Sequence, residues 1–298
     1  MTNALTIKNV SHWFGDNRVL EDIDLEIPAG QVVGLVGPSG CGKSTLLRGI
    51  LGTHPPNEGT INSGGNVITG PTRDVGIVYQ HYSLYPFLTA EQNVAFGLLL
   101  DETTLPWRTF LFWKWWKLRK QHLEKSRDWL EKMNLGAAAK LYPHEMSGGM
   151  RQRVAIAQAL IMKPKIVLLD EPFGALDEAT REELQVMLLR LYQENQNAKK
   201  EGLEPPYTIL IVTHELNEAF YVSDRVLGLS QYHAGNKVIG GFEKQEGAKI
   251  VYDQPVQVFQ PDDPRDFSVF VKQREELRQV VFDPTNLQQH EEFVAGRD

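Results

Sequence analysis

The stretch that decides the fold is Gly37-Pro38-Ser39-Gly40-Cys41-Gly42-Lys43-Ser44-Thr45, with Val32-Val33-Gly34-Leu35-Val36 before it and Leu46-Leu47-Arg48-Gly49-Ile50-Leu51 after it. These segments read as a strand, a glycine-rich turn and a helix, the setting in which G-x-x-x-x-G-K-[ST] cradles phosphate. Glycines let the loop fold tightly, so that successive backbone N–H groups point inward at a polyphosphate. The positive end of the following helix adds to that field. Lys43 supplies a point charge for the β- and γ-phosphates, and Ser44 offers a hydroxyl to Mg2+. The pattern predicts that the chain binds a nucleoside triphosphate. A merely flexible Gly/Ser loop would leave the flanking strand and helix unexplained.

The bulk properties narrow the field. A chain of 298 residues, 42% hydrophobic and 23% charged, has the make-up of an ordinary globular protein with ample length for a core. Its net charge of -7 argues against long tracking contacts with a nucleic-acid backbone. No apolar run approaches the roughly 20 residues that span a bilayer. The opening Met1-Thr2-Asn3-Ala4-Leu5 lacks the basic and apolar blocks of a secretory signal, so a cytoplasmic location is the default expectation. Cys41 is the only cysteine, which excludes an intrachain disulfide. In its slot of the phosphate loop it reads as a small filler, with redox sensing as the alternative.

Outward from the loop, Leu5 to Val10 and Leu20 to Ile27 alternate as strands, and Pro28-Ala29-Gly30 is a turn. Trp13 and Phe14 between them serve either core packing or stacking on a nucleotide base; spacing leaves both open. Val75 to Tyr79 is an apolar run ending in Gln80. Thr89 starts a helix as its cap, and the chain stays mostly helical to Met146. Ser147-Gly148-Gly149 then opens another helix with Ser147 as N-cap, a second ready-made anion site. Ile166 to Leu169 is a buried strand ending in Asp170-Glu171. Paired carboxylates there are costly unless they meet a cation or a proton. In a triphosphatase Asp170 suits Mg2+ held through water, and Glu171 suits the orienting or deprotonation of the attacking water. The plainer reading is a solvated strand end.

Glu178 to Glu194 reads as an amphipathic helix and Asn195 to Pro206 as a polar surface loop. Tyr207 to Val212 is a further buried strand, ending in Thr213-His214. His214 is placed either to hydrogen-bond a γ-phosphate or to play a structural part. Glu215 to Val222 is helical and Arg225 to Leu229 is a strand. Beyond Gln231 the pattern weakens to a strand-like Lys249 to Tyr252, a polar helix near Phe267 to Val281 and a polar tail past Phe282.

The run Leu105 to Lys120 (LPWRTFLFWKWWKLRK) stands apart, because it mixes tryptophans with Arg and Lys around a helix. It fits a helix at a membrane headgroup region, an aromatic contact surface for a partner, or internal packing.

Gly37, Gln80, Glu171 and His214 each fall just past the end of an apolar strand. Ligands bind at the carboxyl ends of strands in a parallel α/β sheet, so these four are expected around one nucleotide. The Ser147-Gly148-Gly149 helix lies outside that series. Either the chain binds two anions, or two copies meet and each lends its turn to the other.

This ordered set, from Gly37–Thr45 through Gln80, Ser147-Gly148-Gly149-Met150-Arg151-Gln152, Ile166–Glu171 and Ala175-Leu176-Asp177 to His214, resembles the ATP-binding subunit of an ABC transporter over roughly Leu5 to Ser230. The resemblance implies a P-loop NTPase core of α/β class with a mostly parallel sheet, an N-terminal antiparallel β subdomain and a helical signature-motif subdomain. It implies an ATP-binding domain at 1–235, with the helical subdomain at about 89–163, the Trp-rich insert at about 103–122, and a C-terminal extension at 236–298. Gly37, Pro38, Ser39, Gly40, Cys41, Gly42, Lys43, Ser44 and Thr45 would be the Walker A motif, and Ile166–Glu171 the Walker B motif. Gln80 would head the Q-loop, sensing the γ-phosphate and serving Mg2+ together with Ser44 and Asp170. Asp177 would end the D-loop, His214 would be the switch histidine, and Phe14, rather than Trp13, the base-stacking aromatic. Catalysis would fall to Glu171, His214, Lys43 and Gln80, with ATP and Mg2+ as cofactors.

In the family's head-to-tail dimer, each ATP lies between one subunit's phosphate loop and the other's Ser147, Gly148 and Gly149. Met146 and Met150 replace the usual Leu and Gln of the signature, and neither change removes a donor to phosphate. Gly70–Asp74 and the Ser-Gly-Gly-Met-Arg-Gln-Arg signature are most like importers of nitrate, sulfonate or taurine, whose link near Trp107–Lys120 is usually shorter. The resemblance therefore implies an ATPase at the cytoplasmic face of the inner membrane, acting as a homodimer or with a close paralogue. Its partners would be permease subunits and, through them, a solute-binding protein outside, with no nucleic acid. Two rivals remain: a non-transport ABC ATPase on a macromolecular or cofactor-assembly partner, and a P-loop kinase, which leaves the signature helix unexplained.

Overall fold

The computed structural model describes residues 2–80, 83–102, 112–231, 238–239, 242–243 and 247–283. Residues 105–111 of the Trp-rich run (Trp107 among them), the expected boundary at 235/236 and the tail past 283 lie outside the described residues.

Strands β1 (Asn3–Phe14) and β2 (Asn17–Pro28) run longer than the alternating pattern indicates, because shifts in their pairing register interrupt that pattern. Then follow β3 (Val32–Val36), the glycine loop and α1 (Lys43–Leu51). β4 (Glu58–Ser63) and β5 (Asn66–Val67) return to β1 and complete an antiparallel sheet in the order β2-β1-β4-β5. After β6 (Val75–Val78) come the helices α2 (Ala90–Glu102), α3 (Phe112–Lys132) and α4 (Gly148–Leu160). The remaining elements are β7 (Ile166–Asp170), α5 (Glu178–Lys200), β8 (Ile209–Val212), α6 (Leu216–Val222), β9 (Arg225–Ser230), the short pair β10 (Val238–Ile239) and β11 (Phe242–Glu243), β12 (Lys249–Pro255) and α7 (Val271–Phe282).

The main sheet has the order β12-β9-β3-β8-β7-β6. Its pairs are parallel except β12, which runs antiparallel along β9. Side chains alternate between its two faces. Val33, Leu35, Ile166, Leu168, Leu210, Val212 and Leu227 share one core with α1 and with Leu5, Ile7, Ile23 and Ile27 of the antiparallel sheet. Val32, Val36, Val167, Leu169, Ile209, Ile211 and Val226 face the other core, with α4, α5, α6 and α7. Strands apolar on both faces are what a sheet covered on both sides requires. The stacked layers thus carry the carboxyl ends of four parallel strands to one rim.

Three local features differ from the sequence reading. α5 continues to Lys200, and Asn195 is fully buried rather than in a surface loop. Its side chain accepts from the Tyr207 N–H at 2.9 Å and donates to the Tyr207 and Gly30 carbonyls at 2.6 and 3.2 Å. Asn195 thereby supplies the entry of β8 with backbone partners. At the start of α2 the Thr89 hydroxyl makes no hydrogen bond; instead the Thr89 N–H donates to the Gln92 side chain at 3.1 Å. The described part of the C-terminal stretch is no appendage. β12 is an edge strand of the main sheet, and Phe270, Leu277, Val280 and Val281 join its core.

Candidate functional site

The register of the main sheet brings the motif residues together. Val78 pairs with Leu169, Asp170 with Val212, and Leu35 with Val212. One or two residues further, Gly37, Gln80, Glu171 and His214 all emerge at the same rim. Parallel strands end in step, which is why motifs remote in sequence meet there.

The loop after β3 can hold an anion. Gly42, with φ of 100°, sits in the left-handed region, and α1 starts there with no side-chain cap. The orphan N–H groups of its first turn are therefore available to a ligand. At Gly37 a Cβ would run into the Leu229 carbonyl oxygen and lie 2.8 Å from the Cys41 sulfur, so only glycine fits. Lys43 Nζ donates to the carbonyls of Gly37 and Pro38 at 2.6 and 2.9 Å, keeping its charge folded over the loop. The Cys41 thiol is buried, and burial pushes its pKa up, with Lys43 opposing. A thiol kept protonated is a packing group, which favours the filler reading over redox sensing. Ser39, Gly40 and Ser44 are exposed, and Pro38, Lys43 and Thr45 are half-buried.

β7 delivers the two carboxylates. Asp170 is half-buried, and burial pushes its pKa up, reinforced by Glu171 and opposed by Lys43 and Arg48. Glu171 has φ of 49°, a conformation a non-glycine residue rarely holds. Strain of this kind is on the order of 1–3 kcal/mol and needs surrounding structure to hold it. Here the Glu171 N–H is fixed to the Val212 carbonyl at 2.8 Å, and its own carbonyl accepts from Gly174 N–H at 3.3 Å. The turned backbone brings Glu171 Oε2 within 2.7 Å of His214 Nδ1. His214 is exposed, with its Nε2 3.6 Å from Glu215. The solvated-strand-end reading does not describe this arrangement. Gln80 approaches from β6, its amide nitrogen 3.5 Å from where a Cβ on Gly174 would be.

Of the two aromatics near the end of β1, Phe14 is 47% exposed, its ring edge-on to His12 and His54. Trp13 has the Arg18 guanidinium 5.4 Å from its ring centroid. Phe14 is therefore surface-facing and not a core residue, whereas one face of Trp13 already has a cation against it.

Ser147 and Asp177 prove to be N-caps. The Ser147 hydroxyl accepts from the Met150 N–H at 3.2 Å, and Ser147 is exposed. Asp177 accepts from the N–H and hydroxyl of Thr180 at 3.1 and 2.8 Å, and these bonds hold its carboxyl below the usual range. A Cβ on Gly149 would overlap Thr180, so the two turns are packed together. Among the described residues, no hydrogen bond joins 147–149 to the loop at 37–45. The structure thus brings together Gly37–Thr45, Gln80, Asp170, Glu171 and His214, and pairs Gly149 with the Asp177 turn.

The sequence reading missed a bridge behind the site. Arg181 donates to the Leu176 carbonyl at 3.2 Å, while its Nε lies 3.3 Å from Glu218. Glu218 in turn accepts from the Thr213 hydroxyl at 3.0 Å, beside His214. Burial pushes the Glu218 carboxyl up to about 7, against the pull of Thr213 and Arg181. Its sequence signal is a cation four residues after Asp177 and a carboxylate four after His214. Both are one helical turn past a site residue.

Among the described residues no group of three or more His, Cys, Asp and Glu side chains is gathered around a metal position, and no helix is long and apolar enough to cross a membrane.

The profile of the family described as ABC transporter matches residues 20–174. The chain is 38% identical over 263 residues to the sulfate/thiosulfate import ATP-binding protein CysA of a Synechocystis strain, covering 86% of this chain and 64% of that one. It is 39% identical over 231 residues to the aliphatic sulfonates import ATP-binding protein SsuB of Bacillus cereus, covering 76% of this chain and 81% of that one. The chain therefore spans less than two thirds of the first relative's length. A solved dimeric ATP-binding cassette in a post-hydrolysis state with ADP and Pi superposes with a TM-score of 0.61 at 26% identity, over 86% of this chain and 100% of that one.

Proposed function

The chain belongs to the ABC transporter ATP-binding family, a P-loop NTPase fold, and from that premise we propose that it hydrolyses ATP as a dimer to drive a separate membrane permease. The observation that carries this reading is the meeting of the glycine loop, Asp170-Glu171 and His214 on one rim, with Glu171 and His214 2.7 Å apart.

The loop N–H groups and the start of α1 bind the phosphate chain, and Lys43 exchanges its two carbonyl partners for β- and γ-phosphate oxygens. Glu171 orients the attacking water and takes its proton, while His214, already bonded to that carboxylate, holds it in place and reaches the γ-phosphate. Phe14 offers its exposed face to the base. The donor set at the loop fits Mg2+. Asp170 carries a carboxyl that burial disfavours as an anion, and a neighbouring divalent cation reverses that balance. Ser44, Gln80 and Asp170 (through water) would hold the ion. When bound, Mg2+ neutralises charge developing on the phosphoryl oxygens.

Each copy lacks a second wall for its nucleotide. The Ser147-Gly148-Gly149 turn of a second copy, with Ser147 exposed and the Asp177 turn behind it, supplies one. The printed names of the two relatives, a sulfate/thiosulfate importer subunit and a sulfonate importer subunit, support import of a small oxyanion. The chain then sits peripherally at the cytoplasmic face of the inner membrane, with an outside solute-binding protein reached through the permease. The permease has a candidate seat in a cleft of about 490 Å³ between β6, α2 and α4, lined by Tyr79, Ser83, Leu100, Gln158 and Met162. Being next to Gln80, an occupant there would feel the γ-phosphate. The extension at 236–298 would act as one folded unit with the ATP-binding domain at 1–235, since β12 pairs with β9 of the main sheet.

Glu171→Gln tests the reading. Binding of ATP should persist while phosphate release falls at least about 10²-fold, the low end of what a general base contributes. Normal phosphate release by this variant would remove Glu171 from the role.

A further inference from the structure

The Trp-rich helix α3 has two faces with different chemistry. His122, Ser126 and Leu130 are fully buried, and Ser126 donates to the Glu91 carbonyl of α2 at 2.7 Å, so this face is spent on packing. The opposite stripe carries Trp113, Trp116, Lys117 and Lys120, spaced i, i+3, i+4 and i+7, all of them exposed. Trp113 is 86% and Trp116 60% exposed. Large indoles left this open are unusual on a protein surface and mark a contact site.

The charge distribution says what the contact is made with. From Phe112 to Lys120 the helix has Lys114, Lys117, Arg119 and Lys120 and no acidic residue, in a chain of net charge -7. From Gln121 to Lys132 acids and bases are mixed, with Glu124, Asp128 and Glu131 beside Lys125, Arg127 and Lys132. Protein–protein interface cores are enriched in Trp and Arg but depleted in Lys, so two lysines interleaved with two tryptophans fit a protein partner poorly. Indole rings and ammonium groups on one helical stripe are instead the composition of an interfacial helix, the rings at headgroup depth and the cations among phosphates. The net negative charge of the rest of the chain would repel an anionic bilayer, which makes a local cationic stripe necessary.

We propose that the exposed Trp113–Trp116–Lys117–Lys120 stripe of α3 docks on an anionic phospholipid surface, holding the helical part of the ATPase against the bilayer. This rests on the reading that the chain works beside a membrane, but not on its catalytic assignments. Attraction of about 1 kcal/mol per lysine near such a surface corresponds to roughly thirty-fold in partitioning for Lys117 and Lys120 together.

The test uses the purified full chain, without permease, sedimented with vesicles of phosphatidylglycerol and phosphatidylethanolamine or of phosphatidylcholine alone. The wild type should partition onto the anionic vesicles, less so as salt rises. Lys117→Glu/Lys120→Glu should lose at least about thirty-fold and Trp113→Ser/Trp116→Ser should also lose partitioning, while both keep wild-type ATP turnover as evidence of folding. Three results overturn the proposal: no partitioning of the wild type, equal partitioning onto phosphatidylcholine, or unchanged partitioning of the variants. Loss of permease capture in detergent by the Trp variant, with its vesicle binding intact, would assign the stripe to a protein partner and equally overturn it. Failure here leaves the Glu171→Gln outcome unaffected, so the two readings fall separately.

Discussion

Gly149→Ala probes the junction between the signature turn and the turn before α5. A methyl at that position would overlap Cγ2 of Thr180 and lie 3.1 Å from its Cβ. Two carbons attract best at roughly 3.5–4.0 Å, so both contacts are repulsive. Thr180 cannot simply rotate away, since its hydroxyl and N–H both bond the Asp177 carboxylate. Either that hydroxyl bond is dropped or α4 and α5 move apart. Overpacking of this kind costs about 1–3 kcal/mol. For a chain of this size that is a fall in melting temperature on the order of 2–5 °C. Thermal unfolding of Gly149→Ala, Thr180→Ser and the double variant forms the assay. Serine keeps the hydroxyl bond and removes the methyl, so the double variant should recover most of the loss. If Gly149→Ala melts with the wild type, or if serine gives no recovery, the two turns do not pack as described.

Two further predictions concern stability. Asn195→Ala leaves the buried Tyr207 N–H and carbonyl without their Asn195 partner, and the Gly30 carbonyl with Lys199 Nζ at 3.4 Å. It should destabilise by at least about 1–3 kcal/mol in urea unfolding, and an unchanged midpoint would contradict the buried assignment. Glu218 is pushed up to about 7 in the folded chain from an ordinary value of 4.5. Between those pH values the folded state holds a proton that the unfolded state has lost, so this residue makes stability fall as pH rises through the window. The full effect is on the order of 3 kcal/mol as an upper bound. Glu218→Gln should flatten that slope, and an unaltered pH profile would show that the carboxyl is not raised.

That Gly37–Thr45, Asp170-Glu171 and His214 meet at one rim was legible in the sequence, because each lies just past the end of an apolar strand. A parallel sheet then aligns those ends. The choice between Trp13 and Phe14 was not legible from spacing, because it turns on Arg18 approaching one ring and leaving the other to solvent. Asn195 was misread for a related reason. A polar residue in a helix reads as surface unless the buried backbone groups it serves, those of Gly30 and Tyr207, are known. β12 was weak in pattern because its burial is mostly intermediate, as suits an edge strand. The Arg181–Glu218 bridge spans two helices far apart in sequence, and only the fold makes them neighbours.

The account's central claim, that two chains share each ATP, is tested most directly by cross-linking. In a Cys41→Ser, Glu171→Gln background, with cysteines replacing the exposed Ser39 and half-buried Gly148, mild oxidation should give a disulfide-linked dimer with ATP and Mg2+ and leave monomer without nucleotide. Monomer under both conditions, or a disulfide closed within a single chain, would contradict it.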